Sequence, residues 1–337
     1  MSITIESARP DRLTRGELRA RRKPTQPARV AAARVWRAGL GLAVLGLGSC
    51  GLVLARLFEA WRVEPHLTGH RFSVLGERLG YPAANAWAIV ILALALVGLL
   101  VATTLIAGAA RELAAARRFA RELARRSPRA LGSALVIDEP QPVAFCAGLL
   151  TPRVFVSSAA VELLDDGALT AVLAHELHHA TRRDPLRLAA GRVLARALFF
   201  VPGLTELARR QRALAELSAD EAAIGENGSE RSALARAMLS LTDAGAPDAG
   251  IDPARVDYLL GEPPSWGFPA LLCAAGAGVI ALLVAVAVLT GGLASGSATL
   301  ALPFLSKQPC VAVLALIPAA VWLLAAGLRR GLRVRDA

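Results

Sequence analysis

The sequence predicts a mainly α-helical membrane protein: four transmembrane helices enclosing an α+β domain that carries a small β-sheet. Three observations point there. Hydrophobic residues make up 55% of the 337, with a mean hydropathy of +0.48, yet charged residues still account for 19%; the chain is neither an ordinary soluble protein nor all membrane. The apolar residues gather into four runs, 38–58, 86–110, 267–291 and 310–328, each of a length that can span a bilayer. Between the second and third runs, residues 111–266 return to a mixed composition with helical and strand-like patterns.

The charge is informative by its placement. The net charge is +11, and Lys occurs only at Lys23 and Lys307, so Arg dominates. With the abundance of Ala, this suggests a GC-rich bacterial coding sequence, and no nucleic-acid partner is expected. Residues 1–37 hold ten basic residues, Arg9 through Arg37 with Lys23, interrupted by Pro24 and Pro27, and read as a disordered basic arm. Arg111, Arg117, Arg118, Arg121, Arg125, Arg126 and Arg129 follow the second run, and Arg329, Arg330, Arg333 and Arg335 form a basic tail over 329–337. Arg excess marks the cytoplasmic side. The expected topology therefore puts both termini and residues 111–266 in the cytoplasm of a bacterial cell membrane, with 59–85 outside.

In order, 38–58 is a plain span whose Gly39, Gly41 and Gly46 suit close helix packing. Leu47-Gly48-Ser49-Cys50 faintly resembles a lipoprotein cleavage site, but the apolar run continues past it. The loop 59–85 carries His66 and His70, read as surface histidines because Pro65 and Gly69 break a regular helix. Short β-type runs at Ala134–Ile137, Val143–Cys146 and Val154–Ser157 are set off by Pro and Gly, and predict a small sheet whose edge could take a substrate as an added strand. Residues 186–203 are apolar but hold Arg187, Arg192 and Arg196, a poor span, and read as a buried or membrane-dipping helix. Residues 229–265 read as an amphipathic helix and a linker, with Asp252-Pro253 as a helix start. The four cysteines, Cys50, Cys146, Cys273 and Cys310, have no metal or disulfide spacing; Cys146 reads as an inert buried thiol, with a regulatory thiol as the alternative.

The stretch that carries chemistry is His175-Glu176-Leu177-His178-His179, inside an apolar-periodic run from Ala168 to Thr181 without Gly or Pro. On a helix His175 and His179 are one turn apart and point the same way. Two imidazoles on one face can hold one Zn²⁺, and Glu176 can take a proton from a water there. His178 is off the ligand spacing. A catalytic zinc needs a third protein ligand. Glu216 can supply it from a second helical run, about Leu204 to Ile224, with Glu206, Glu221 and Glu226 as rivals. Asp220, one turn after Glu216, can accept from a ligand imidazole and fix its tautomer. As a second donor to a developing oxyanion, Tyr258, His178 and Arg183 all stay open.

HELHHATRRDPL followed by ELSAD resembles the gluzincin membrane peptidases, above all the BlaR/MecR-type antirepressor peptidases, with the HtpX and CAAX-protease family as near relatives. Residues 142–158 and Arg182-Arg183-Asp184-Pro185 are similar to flanking segments of those families, so the likeness covers roughly 135–225. It implies a zincin-like α+β metallopeptidase domain, one Zn²⁺ per chain on His175, His179 and Glu216, Glu176 as base, and Asp220 and Asp184 as supporting carboxylates. The penicillin-binding sensor domain of the BlaR/MecR type has no counterpart in this sequence, so β-lactam sensing is not expected. Three functions follow: regulatory cleavage of a cytoplasmic repressor or of the chain itself; processing and quality control of membrane proteins; or a non-catalytic zinc-binding scaffold. The expected partners are a protein or peptide substrate, a transcriptional repressor among them, and the lipid bilayer.

Overall fold

The structure, a computed structural model, describes residues 27–60, 70–74, 77–81, 86–224, 229–244, 255–257 and 267–294. Residues 1–26 of the expected arm, the fourth run at 310–328 and the tail at 329–337 lie outside the described residues, as do His66, Glu226 and Tyr258.

Among the described residues, three long helices form the first layer: α1 (Pro27–Ala60), α2 (Ala86–Arg125) and α8 (Ala270–Ala294). Each contains a stretch long and apolar enough to cross a membrane: Pro27–Arg56, Ala93–Arg125 and Ala270–Gly291. They pack through small residues. Gly98 of α2 lies against the backbone of Cys50 in α1, and Val53, Ala95 and Ala287 form a buried contact between the three. Two strands, β1 (His70–Val74) and β2 (Glu77–Tyr81), pair antiparallel between α1 and α2 in sequence. The helix α1 starts at Pro27, well before the apolar run at 38, so 27–37 is helical rather than an irregular arm. Proline fits here because the first turn of a helix has no use for its missing N–H, and Val35 and Ala32 are buried against the globular part. Likewise α2 runs unbroken from the apolar run into the basic segment, so its last turns project beyond the apolar part as a rigid extension.

The globular part is a four-stranded sheet with helices on it. The strands are β3 (Arg129–Leu131), β4 (Ala134–Ile137), β5 (Ala144–Ala147) and β6 (Arg153–Ser157), in the spatial order β3-β4-β6-β5. The β4–β6 pair is parallel; the other two are antiparallel. Three strands coincide closely with the apolar runs read from sequence, whereas β3 has an exposed, unpatterned sequence and was not expected. Helices α3 (Ser158–Leu163), α4 (Asp166–Arg182), α5 (Asp184–Ala197), α6 (Leu204–Ile224) and α7 (Ser229–Asp243) follow. Ser157 has no exposed surface, and its Oγ accepts from Ala160 N at 3.0 Å and Val143 N at 2.9 Å. It caps α3 and fixes the segment leading into β5 together. Asp165 caps α4 by accepting from Ala168 N at 2.7 Å.

The α5–α6 pair does not sit apart from the long helices. Leu198 and Val201 share one buried cluster with Leu42 and Ala43 of α1, Val101 of α2 and Ile280 of α8. Arg192 pairs with Glu112 of α2 at 2.9 Å, and the Arg187 guanidinium lies 5.9 Å over the Trp36 ring of α1.

Candidate metal centre

Helix α4 carries the first two donors. Asp165 begins it, and apolar residues at 168, 171 and 172 bury one face against the sheet and α7, turning His175 and His179 inward. Both histidines are buried, at 6% and 8% exposure. The helix stops at Arg183, which adopts a left-handed conformation (φ 55°, ψ 42°). A non-glycine residue there is strained, and the turn it makes swings Asp184, with Pro185 behind it, to the start of α5 and under His179. Asp184 Oδ2 lies 3.0 Å from His179 Nδ1 and is 1% exposed.

Helix α6 packs against α4 and supplies the rest. Glu216 Oε2 lies 3.5 Å from His175 Nε2, and Glu216 Oε1 lies 3.7 Å from His179 Nε2; the two Nε2 atoms are 3.2 Å apart. Asp220, with no exposed surface, places Oδ1 3.0 Å from His175 Nδ1, bent from ideal hydrogen-bond alignment. Both imidazoles therefore turn Nδ1 to a buried carboxylate and Nε2 to a common point shared with Glu216. Tetrahedral coordination at zinc–nitrogen and zinc–oxygen distances near 2.1 Å requires donors about 3.4 Å apart. The three spacings of 3.2, 3.5 and 3.7 Å bracket that value, so the residues present fit a single zinc-sized ion. Of the other carboxylates weighed for this place, the two among the described residues are engaged elsewhere. Glu206 pairs with Arg209 and Arg210, and Glu221 accepts from Ala28 N and Arg29 N at 2.9 and 3.1 Å, capping the start of α1.

Arg255 is the site residue that sequence reasoning missed. Its Nε and Nη2 reach Asp220 Oδ2 and Oδ1 at 2.9 and 2.7 Å, a two-pronged grip, and its Nη1 lies 3.5 Å from Glu216 Oε2. The only available signal was its place just after the Asp252-Pro253 helix start. Residues 255–257 are helical.

The electrostatics follow from crowding. Burial works against a charged His175, but Asp220, Glu216 and the nearby Glu176 outweigh it and raise it to about 10. Burial likewise works to raise Glu216, and the two imidazoles with Arg255 hold it down to about 2. Glu176 moves the other way: its burial, reinforced by Glu216, lifts it above the usual carboxylate range despite both histidines. The donors thus sit in a surplus of negative charge suited to a divalent cation, next to a carboxylate whose basicity is enhanced.

Glu176 also accepts a hydrogen bond from the Cys146 backbone N–H, tying it to β5. Ser157 donates its N–H to Val143 O at 2.8 Å, and the register pairs Phe145 with Phe155. By antiparallel alternation, Val143, Phe145 and Ala147 turn their backbone groups to β6, while Ala144 and Cys146 turn theirs to the free edge. That edge borders a cleft of about 610 Å³ lined on one side by Phe119 and Leu123 of α2 and Arg126 just after it, and on another by Leu234, Met238 and Leu241 of α7. His175, Glu176, Glu216 and Arg255 form part of its wall.

The remaining residues singled out are placed as follows. His178 Nε2 is 2.8 Å from Ser218 Oγ, locking α4 to α6 away from the cleft, and burial pushes its pKa down to about 4. Arg183 is exposed at the α4–α5 turn and does not line the cleft. Cys146 is half-buried, and burial with the charges of Glu176 and Asp184 pushes its thiol up to about 12, which makes it a poor nucleophile.

Residues 109–241 match the family model described as Peptidase family M48. The matched stretch runs from the projecting end of α2 through most of α7 and includes His175, Glu176, His179, Asp184, Glu216 and Asp220. The match indicates a metallopeptidase domain. A search among curated proteins finds no match to the chain.

Proposed function

We propose, from a chain whose residues 109–241 match Peptidase family M48, that this is an integral-membrane zinc-dependent endopeptidase. His175, His179 and Glu216 hold one Zn²⁺, Glu176 is the general base, and Asp184 and Asp220 orient the two imidazoles. The observation that carries this reading is the convergence of three donors at zinc spacing beside a buried carboxylate on a cleft with an open strand edge.

Zinc bound there would supply Lewis acidity, acidifying a water and polarising the scissile carbonyl. The chain's own residues do the rest. Glu176, made more basic by burial, takes the proton from the attacking water and hands it to the leaving amine. Asp184 and Asp220 keep the proton of each imidazole on Nδ1, so that each Nε2 lone pair faces the ion. Arg255 fixes Asp220 and brings a cation to the cleft wall. The outward backbone groups of Ala144 and the carbonyl of Cys146 align an extended chain along β5, and the Phe119–Leu123 and Leu234–Met238–Leu241 walls favour large apolar side chains in it.

The likeness of HELHHATRRDPL and ELSAD to BlaR/MecR-type antirepressor peptidases supports regulatory cleavage of a cytoplasmic repressor or of the chain itself. The arginine clusters after the second apolar run and at the C-terminus support a bacterial inner-membrane location with both ends in the cytoplasm. The test compares new protein N-termini in cells carrying wild type and Glu176→Gln. Termini confined to wild type, with zinc bound equally in both, are the expected result: one repressor means a switch, many membrane proteins mean quality control. Identical termini, with zinc bound and the chain supplied with its activating signal, would refute the peptidase reading in favour of a zinc-binding scaffold.

A further inference from the structure

Ala197-Leu-Phe-Phe-Val-Pro-Gly-Leu204, the turn between α5 and α6, is an uninterrupted apolar stretch bracketed by Arg196 and by Glu206, Arg209 and Arg210. Half of it is core: Ala197, Leu198, Val201 and Leu204 are buried. Of the rest, Phe200, Pro202 and Gly203 are partly buried, Phe200 against the core, and Phe199 faces out at 60% exposure. Its contacts fall on the apolar lengths of the long helices. A Cβ built on Gly46 of α1 would meet Leu198 at 3.2 Å, one on Gly203 would meet the Leu272 backbone of α8 at 3.1 Å, and one on Gly276 would meet Pro202 O at 2.5 Å. The glycine of each pair is what allows so close an approach.

The depth of the turn follows from helix rise. Gly46 is nine residues beyond Arg37, about 13 Å along α1. Val101, in the same buried cluster as Leu198, is ten residues before Arg111, about 15 Å along α2. On α6, Arg210 lies six residues after Leu204, about 9 Å. Arg192, six residues or about 9 Å before Leu198, pairs with Glu112 beside Arg111. Arg37, Arg111, Arg192, Arg209 and Arg210 therefore form a belt at one level, and the turn reaches roughly 10 Å past it toward the apolar side, with Arg196 between the belt and the turn. Phe268, 39% exposed just before α8, sits beside Gly267, whose carbonyl accepts from Arg210, at that same belt.

The same rise locates the metal site on the other side. Glu216 is six residues past Arg210, about 9 Å. Phe119 of the cleft wall is eight residues past Arg111, about 12 Å. Ala28, capped by Glu221, is nine residues before Arg37, about 13 Å.

We propose that the α5–α6 turn is a re-entrant wedge whose partner is lipid hydrocarbon, continuous with the lipid-facing surfaces of α1 and α8, and that it holds the metal site at a fixed height of about 9–13 Å above the arginine belt. The arginines face the phosphate layer, where a basic belt is favoured by anionic lipid, and exposed Phe199 finds the apolar phase it lacks in water. A water-facing Phe199 would leave an apolar patch open; a protein partner would have to thread between the arginine belt and three membrane-capable helices.

The test is a depth measurement by spin labelling in nanodiscs of phosphatidylethanolamine and phosphatidylglycerol. Cys50, Cys146, Cys273 and Cys310 are replaced, and single labels are placed through Phe199→Cys, Phe268→Cys, Leu45→Cys as the lipid reference and Leu150→Cys as the aqueous reference. Leu45 and Leu150 are 56% and 68% exposed. The expected result is that the label at 199 collides with oxygen in preference to a nickel chelate, as at 45, with 268 shallower and 150 reversed. A chelate-accessible label at 199 overturns the proposal. So does a label immobilised and shielded from both reagents, which would mean a protein partner or a second copy. An aqueous label at 45 removes the membrane placement with it. A benzophenone amino acid at 199 in the otherwise unaltered chain gives an independent check: lipid adducts are expected, and protein adducts alone contradict the wedge.

Discussion

Replacing Asp220 by Asn should weaken zinc binding by one to two orders of magnitude. The carboxylate is fully buried, 3.0 Å from His175 Nδ1, and gripped by Arg255 at 2.9 and 2.7 Å. An ion held by His175 Nε2 would be across the imidazole ring from this carboxylate, about 7 Å away with a zinc–nitrogen bond near 2.1 Å. At an effective dielectric of about 20, losing one negative charge at that distance costs about 2.4 kcal/mol of attraction for each positive charge on the ion. Reorganisation of Arg255 toward Glu216, whose Oε2 is already 3.5 Å from it, offsets part of this. A loss of about 1.4–2.7 kcal/mol, or 10–100-fold, is what remains, in the range seen when a partner of a ligating histidine is removed. Asn can accept one of Arg255's donors but cannot carry the charge. The assay is competition with a chromophoric chelator on detergent-solubilised protein, alongside Glu216→Ala, which should lose the ion altogether. An unchanged affinity in Asp220→Asn with zinc lost in Glu216→Ala would refute the view that Asp220 acts through His175. Full zinc stoichiometry in Glu216→Ala would refute the ligand assignment itself.

Three further outcomes are expected. Ser157→Ala removes the acceptor for Ala160 N and Val143 N and should cost about 1–3 kcal/mol, read as a lower unfolding temperature in detergent, with a raised KM because the entry to β5 loosens. Gly276→Ala drives a Cβ to 2.5 Å from Pro202 O and should destabilise by about 1–3 kcal/mol, whereas Gly278→Ala, with nothing within 4 Å, should be neutral by the same measurement. Cys146, in a chain with the other cysteines replaced, should be a slow target for iodoacetamide. With its thiol raised to about 12 against an ordinary 9.0, the thiolate is scarce at pH 8. Alkylation at least about 30-fold slower than that of a free cysteine is expected, allowing for the greater nucleophilicity of a more basic thiolate. The rate should climb as pH rises toward the folded value; a fast reaction at neutral pH would restore the regulatory-thiol alternative.

What could be read from the sequence was local. The run Ala168–Thr181 predicted α4, found over Asp166–Arg182, and the one-turn spacings put His175 with His179 on one face of α4 and Glu216 with Asp220 on one face of α6; the packing of α6 on α4 then brings the two pairs together. Three strands were legible because β-branched and aromatic residues alternate between Pro and Gly stops. What escaped depends on approach through space. Arg255 is one arginine among many, 35 residues from Asp220, and no periodicity relates them. The strand β3 owes its existence to pairing with β4, not to its own exposed residues. The start of α1 at Pro27 is decided by burial against α6 and by the carboxylate of Glu221, neither visible in a basic stretch that reads as disordered. The arginines of 186–203 mark it as a poor span; in the structure Arg187 and Arg192 meet Trp36 and Glu112, and the apolar turn follows beyond them.

Asp220 and Glu221 are consecutive residues with opposite allegiances. One holds the histidine, the other holds the first backbone amides of a helix long enough to cross a membrane. A single turn of α6 therefore belongs to two equilibria at once, the occupation of the metal site and the seating of α1. Thermodynamic reciprocity then applies. Whatever free energy the ion contributes to the order of that turn is returned as tighter seating of α1, and any force that lifts the N-terminal end of α1 draws on the same turn and is felt as a weaker grip on the ion. The start of α1 is thus a lever with its fulcrum one residue from the candidate metal site.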